Sequence, residues 1–244
     1  MIRIDAWRQN LELLEAEIQN AIDGSGRDRS SLRVVVVTKT HSAEIIGELL
    51  ELGVSDIGES YLQEAVEKMN SLENTGTNLG NTNWHMIGHI QSRKAKDVAA
   101  NFNWVHSIDS IKLAKRLDQA AKDLNKRIKV LVQVNISGEL SKSGFAAKLD
   151  KDRDNLLESM NELISLSNLD VLGLMSIPPF DEEKAHAEDI FHQTKELRDY
   201  LEVQFPENPL PELSMGMSND FPEAIKAGAT IIRVGSAILG PRAT

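Results

Sequence analysis

The chain has 244 residues, and its 27 Lys and Arg against 37 Asp and Glu give a formal net charge of −10. That length suits one large domain or two small ones and can bury roughly three-quarters of the unfolded surface without a stapling metal or disulfide. The acidic balance disfavours nonspecific binding to nucleic acid or anionic membrane, and the absence of cysteine excludes disulfides, thiolate nucleophiles and cysteine-ligated metals.

At the start of the chain, residues 1–22 are charged throughout and lack the apolar centre of a signal peptide. No run approaches the ~20 apolar residues needed to span a bilayer, so a cytoplasmic protein with no membrane or nucleic-acid partner is expected. Apolar residues at Ile4, Trp7, Leu11, Leu14, Ile18 and Ile22 recur at helical spacing and predict an N-terminal amphipathic helix ended by Asp23-Gly24-Ser25-Gly26. Leu32–Val37 is an aliphatic, β-branched run that fits a strand covered on both faces.

Strand and helix signals then alternate. Further strands are predicted at Ser55–Ile57, Trp84–Ile87, Trp104–Ser107, Lys129–Asn135, Val171–Met175, Pro211–Ser214 and Ile231–Val234. Helices are predicted at Ala43–Leu52, Tyr61–Met69, Gln91–Ala100, Ile111–Leu124, Lys151–Leu166, Glu182–Val203 and Asp220–Ala227. Asn70–Asn83 and Gly138–Lys148 read as loops. Strands alternating with helices imply right-handed βαβ units, and eight of them in about 250 residues is the arithmetic of a (β/α)₈ barrel. A doubly wound open sheet would need fewer strands, or a glycine-rich phosphate pattern after the first. The chain is expected to form a single barrel domain, residues 1–244, with the helix of residues 1–24 packed on it.

Barrel chemistry gathers at the carboxyl ends of the strands. Lys39 stands at the exit of the first. By itself such a lysine is usually a snorkelling surface residue, but an amine desolvated at a barrel mouth is also a Schiff-base nucleophile. Two turns follow the last strands: Ser214-Met215-Gly216-Met217-Ser218-Asn219-Asp220, and Arg233-Val234-Gly235-Ser236-Ala237. Barrels often bind phosphate in this pair of loops, where glycine admits close approach, serine adds a donor and backbone N–H groups point outward. The alternative is two ordinary tight turns with Asn219 or Asp220 capping a helix. Arg233, inside the final strand, is costly to bury unpaired and should face a ligand or a carboxylate. His85 and His89 bracket a strand end and a glycine, which places them on no shared surface for a metal.

Several ordered motifs run through the chain. They are Val36-Val37-Thr38-Lys39-Thr40, Gly58-Glu59-Ser60-Tyr61-Leu62-Gln63-Glu64, Trp84 to Gln91, His106-Ser107-Ile108-Asp109, Gln133-Val134-Asn135-Ile136, Glu139 to Gly144, Gly173 to Pro178, Leu213 to Asp220 and Arg233 to Gly240. In these the chain resembles the pyridoxal 5′-phosphate (PLP) homeostasis proteins over nearly its whole length. The resemblance implies a barrel of the alanine racemase N-terminal-domain type that holds PLP as a lysine Schiff base. Lys39 matches the PLP lysine, and Ser218, Gly235 and Ser236 match the phosphate turns. Arg233 would lie near the pyridine nitrogen, where a cation keeps that nitrogen unprotonated and weakens the ring as an electron sink. The implied cofactor-binding set is Lys39, Ser214, Met217, Ser218, Arg233, Gly235 and Ser236, with no catalytic residue and no metal. One departure is Ser60, where the family usually carries Asn after Gly-Glu.

The function implied is a monomeric carrier or buffer of PLP without established catalytic turnover, with PLP-dependent apoenzymes as candidate recipients. Racemases of similar fold add a second domain and a tyrosine base, which the barrel expected here does not include. Two alternatives use the same lysine: a PLP-dependent amino-acid racemase, and a cofactor-free Schiff-base aldolase acting on a sugar phosphate.

Overall fold

The aliphatic run that opens the sheet forms β1 (Arg33–Val37), flanked by two parallel neighbours, β2 (Asp56–Glu59) and β9 (Ile231–Val234). The computed structural model describes residues 2–23, 26–139, 142–148, 150–179 and 184–240. Continuing from β2 come β3 (Asn83–Met86), β4 (Trp104–Ile108), β5 (Ile128–Asn135), β7 (Leu169–Met175) and β8 (Glu212–Met217), each parallel to the last. β8 pairs β9, and β9 returns to β1. The result is a closed eight-stranded parallel barrel, as expected from the alternation.

Helices link the strands: α2 (Ala43–Glu51), α3 (Leu62–Asn74), α4 (Ala95–Asn101), α5 (Ile111–Asp123), α6 (Asp150–Ile164), α7 (Lys184–Gln204), α8 (Phe221–Lys226) and the short α9 (Ser236–Leu239). Periodicity explains them. In α5, Leu113, Ala114, Leu117, Ala120 and Ala121 make the buried stripe, Ser110 caps the start, and Asn125 turns the chain away at φ 51°. The N-terminal α1 (Ile2–Asp23) buries Trp7, Leu14, Ile18 and Ile22 and packs on α8 and α9, where Asn10 Nδ2 donates to Ile238 O at 2.7 Å.

Three local expectations needed correction. The stretch read as a loop from Asn70 remains helical to Asn74, because Leu72 continues the buried stripe of Ala65 and Met69. Within Gly138–Lys148, Phe145–Ala146 forms a two-residue strand, β6, beside Val134 and Asn135 of β5. β8 does not stop at Ser214: it continues through a register shift to Met217, with Gly216 at φ +90°. A Cβ at Gly216 would sit 2.6 Å from that of Ala224, so only glycine brings this bulge against α8. The helix expected from Glu182 falls partly on residues 182–183, and the Glu139 to Gly144 motif partly on residues 140–141, both outside the described residues, as are residues 24–25 of the expected helix end.

The barrel has two compartments. A broad apolar layer lies between strands and helices, and a small cluster of Val35, Trp104, Leu131, Met175 and Ile231 fills the inside. Buried polar side chains share the sheet: Asp56, His85, His106, Ser214 and Arg233.

Candidate functional site

Lys39 leaves β1 at its carboxyl end, half-buried. Thr38 N–H donates to Gly58 O and His41 N–H to Thr38 O, each at 3.0 Å, which bends the chain around the lysine. Thr40 takes φ 67°, a left-handed conformation that costs a non-glycine residue about 1–3 kcal/mol and persists only where its surroundings impose it.

What imposes it is a cluster of acidic and basic side chains. The Glu64 carboxylate accepts the Thr40 N–H at 2.5 Å. Lys68 Nζ donates to Thr38 O at 2.8 Å and to Glu59 Oε1 at 2.7 Å, and it also pairs with Glu64 at 2.5 Å. Thr38 Oγ1 donates to the same Glu59 oxygen at 2.7 Å. Glu59 is fully buried and Lys68 nearly so. Burial pushes the Glu59 carboxyl up, against the pull of Lys68 and the Thr38 hydroxyl. One ion-pair network therefore clamps both neighbours of Lys39.

Across the β1–β9 seam lies the second group. Register sets Val36 opposite Val234, so Gly235 follows beside Val37. A Cβ on Gly235 would stand 3.1 Å from Val37 O, and the glycine is what lets the turn lie against the strand that carries Lys39. Ser218 Oγ accepts from the N–H groups of both Gly235 and Ala237 at 3.2 Å, tying the turn after β8 to the start of α9. Met217 is half-buried, and its N–H donates to Asp220 Oδ1 at 2.5 Å. Asp220 occupies the N-cap position of α8 but spends its carboxylate on that bond instead of on the helix. Ser236 is exposed at the rim. Lys39, Ser218, Gly235 and Ser236 thus meet at one end of the barrel.

Arg233 lies deeper, 4 % exposed. Nη1 donates to Ser214 Oγ at 2.6 Å and Nη2 to Ser176 O at 3.0 Å. Burial pushes its pKa down to about 10, Asp220 working the other way, and it remains a cation at neutral pH. Ser214, grouped with the phosphate turn on sequence, is instead buried inside the barrel with its hydroxyl held between Arg233 and His106. The two histidines separate: His85 is inside the barrel, whereas His89 is 60 % exposed on the rim, 2.8 Å from Asp109. Among the described residues no group of three His, Cys, Asp or Glu side chains is placed to hold a metal. A groove of about 530 Å³ opens at the opposite end, on Leu14, Arg33 and Asp56, and touches neither Lys39 nor the two turns.

The chain matches the family described as alanine racemase, N-terminal domain, over residues 2–243. It is 41 % identical to the pyridoxal phosphate homeostasis protein of Vibrio cholerae, covering 96 % of both chains, and 35 % identical to that of Haemophilus influenzae, covering 96 % of this chain and 95 % of the other. The chain belongs to the pyridoxal phosphate homeostasis protein family. Among solved structures, PipY of Synechococcus elongatus with PLP bound superposes with a TM-score of 0.82 at 33 % identity, over 96 % of this chain and 100 % of that one. An alanine racemase of Clostridium difficile shares the fold with a TM-score of 0.73 at 18 % identity, and this chain spans 58 % of its length. No described helix is long and apolar enough to cross a membrane.

Sequence reasoning found the lysine, the arginine and both turns from their places at strand ends. It assigned no role to Thr38, Glu59, Glu64 and His106, although each stands in one of the ordered motifs, nor to Lys68 and Asp56. For Asp56 and His106 the available signal was a polar residue at an inward-facing strand position; Glu59 faces α3, which carries Glu64 and Lys68.

Proposed function

We propose that this chain binds PLP through a reversible Schiff base at Lys39 and serves as a carrier or buffer of the cofactor, without catalytic turnover of its own. What carries the reading is the seam at Val37: the lysine turn and the Gly235 turn abut, so an amine and a set of backbone N–H groups open on one mouth. PLP has an aldehyde for the first and a phosphate for the second; when bound, it supplies an aldehyde carbon that condenses reversibly with amines.

The residues fit that molecule. Ser218 Oγ draws the N–H groups of Gly235 and Ala237 to a single oxygen, and these donors, the serine hydroxyl and Ser236 would hold a phosphate. Arg233 offers a buried cation with no ion-paired carboxylate among the described residues, suited to the pyridine nitrogen. A cation there holds the nitrogen unprotonated, which favours retention of the aldehyde over carbanion chemistry. The clamp on Thr38 and Thr40 keeps Lys39 in place without a cofactor present. The same site leaves a single, cytoplasmic barrel able to exchange PLP with solvent or with recipient apoenzymes.

Titration with PLP and with pyridoxal, followed by absorbance, tests the proposal. PLP is expected to bind at least roughly ten-fold tighter, the size of one hydrogen bond to a charged group. Equal affinities, or a PLP absorbance change that survives Lys39→Ala, would overturn it.

A further inference from the structure

Arg233 is a buried guanidinium whose acceptors are a hydroxyl and a carbonyl, with no carboxylate in ion-pairing contact among the described residues. Such a charge is expensive to bury unless something else in the structure answers it. Asp220 answers part of it without ion-pairing contact, and a further contribution lies across the barrel. From Arg233 a continuous line of hydrogen bonds runs through four buried side chains. Arg233 Nη1 reaches Ser214 Oγ at 2.6 Å, and Ser214 Oγ lies 2.8 Å from His106 Nδ1. His106 Nε2 lies 2.9 Å from His85 Nδ1, and His85 Nε2 lies 3.0 Å from Asp56 Oδ1.

The direction of every bond in this line follows from its far end. Asp56 takes Arg33 Nη1 at 2.9 Å, Asn83 Nδ2 at 3.2 Å and the Ser55 hydroxyl at 2.7 Å besides His85. Burial pushes the Asp56 carboxyl up, but the bonds from His85, Ser55 and Arg33 prevail and hold it well below the ordinary range, so it is a carboxylate that only accepts. His85 must therefore carry its proton on Nε2. Burial keeps both imidazoles neutral, His106 more strongly, with His85 drawn back only in part by Asp56. A neutral His85 leaves Nδ1 bare, so His106 donates from Nε2 and is itself bare at Nδ1. Ser214 then gives its O–H to His106 and has only lone pairs left for Arg233. Trp104, stacked on His85 with centroids 5.5 Å apart, fixes the ring that begins the sequence.

We infer that Asp56, His85 and His106 are positioning residues for Arg233: they take the Ser214 O–H, which turns the lone pairs of that oxygen toward Arg233, and so hold the guanidinium at the level of Ser176, just past the end of β7. Every bond in the line donates toward Asp56, and the aligned dipoles extend its negative charge toward the cation. Reversing the His106 tautomer would put an N–H on Nδ1, crowd two donors onto Ser214 Oγ and leave its O–H without this partner, so the lone pairs would no longer be directed at the guanidinium alone. That the cation so held faces the PLP pyridine nitrogen rests on the function proposed above; the relay itself does not.

The test uses the full chain labelled with ¹⁵N-histidine, together with three variants. In the cofactor-free protein His85 and His106 should both be neutral with the proton on Nε2. His106→Leu should shift the absorption band of bound PLP and weaken its binding roughly ten-fold or more, as loss of a hydrogen bond to a charged group does. His106→Gln, whose carboxamide can accept from Ser214 and donate to His85, should restore the band and most of the affinity. A purely structural role for His106 would instead lower the melting temperature of both variants and leave the band in place. Ser214→Ala, a smaller change, should reproduce the loss seen with His106→Leu and replaces it as the test if that variant fails to fold. An Nδ1–H tautomer at either histidine, or an unmoved band and affinity in the variants, would overturn the relay. Failure of the wild-type chain to take up PLP at Lys39 would defeat the function proposed above, and the tautomers would still decide the relay.

Discussion

Removing the Lys68 amine isolates the clamp around the cofactor lysine. In Lys68→Met, Glu59 stays fully buried and loses the ammonium 2.7 Å away, retaining only the Thr38 hydroxyl as a donor to the same oxygen; its other oxygen has no partner among the described residues even in the intact protein. Breaking one side of a buried pair costs about 3–5 kcal/mol, because the remaining charge is left unanswered. For a chain of this size each kcal/mol lowers the melting temperature by about 2–4 °C, so a drop of about 6–20 °C is expected in a thermal melt. Replacing both residues, Glu59→Leu with Lys68→Met, removes the stranded charge and should recover most of that loss. It should not recover the chemistry: Thr38 O loses the Lys68 amine, Glu64 keeps its bond to the Thr40 N–H but loses the ammonium that steadies it, and Lys39 should trap PLP more slowly in both variants. A pH dependence follows as well. Burial raises the folded-state Glu59 carboxyl, and loss of Lys68 raises it further, so the variant binds a proton more readily folded than unfolded. Its deficit should therefore shrink below the ordinary carboxylate pKa and grow as pH rises through the raised value. A Lys68→Met melt within a degree or two of wild type at pH 7.5 would refute the clamp.

Three further outcomes are expected. Ser218→Ala removes the oxygen that gathers the Gly235 and Ala237 N–H groups, and should cost about 1 kcal/mol in a denaturant titration and weaken PLP more than pyridoxal; equal weakening of both ligands would place the phosphate elsewhere. Burial lowers the pKa of His85 and His106 below the ordinary histidine value, so the folded state takes up their protons less readily than the unfolded chain. Stability should be full above about pH 6.5 and fall on acidification below it, with a further loss below about pH 4 as Asp56 protonates; a melting temperature unchanged from pH 7 to pH 5 would argue that the histidines are solvated. Gly216→Ala should destabilise the bulge of β8, where its Cβ would meet that of Ala224, and an unaltered melt would show that α8 can retreat.

The barrel was legible because its evidence is local. Val34–Val37 and Lys129–Asn135 read as buried strands, and the α5 stripe reads as a helix, without knowledge of what they touch. Lys39 and Arg233 stood out for the same reason, each being a charge attached to an aliphatic strand. Lys68 did not: in sequence it is one polar position on an amphipathic helix, and its partners Thr38, just past β1, and Glu59, in β2, are far apart along the chain. His106 was hidden differently. Its meaning depends on β-register, with His85 beside Gly58 and Trp104 beside His85, which turns these side chains into the barrel toward Asp56 and Ser214. Ser214 was grouped with the turn that follows because the Gly216 bulge, which carries β8 on to Met217, leaves no clear alternation to separate strand from turn.

The central claim is chemical: one particular amine takes the aldehyde of PLP. Borohydride reduction of the PLP-loaded protein, followed by peptide mass spectrometry, should place a stoichiometric phosphopyridoxyl group on Lys39 and on no other lysine. An unmodified Lys39, with label spread over surface lysines such as Lys112 or Lys115, would contradict the account.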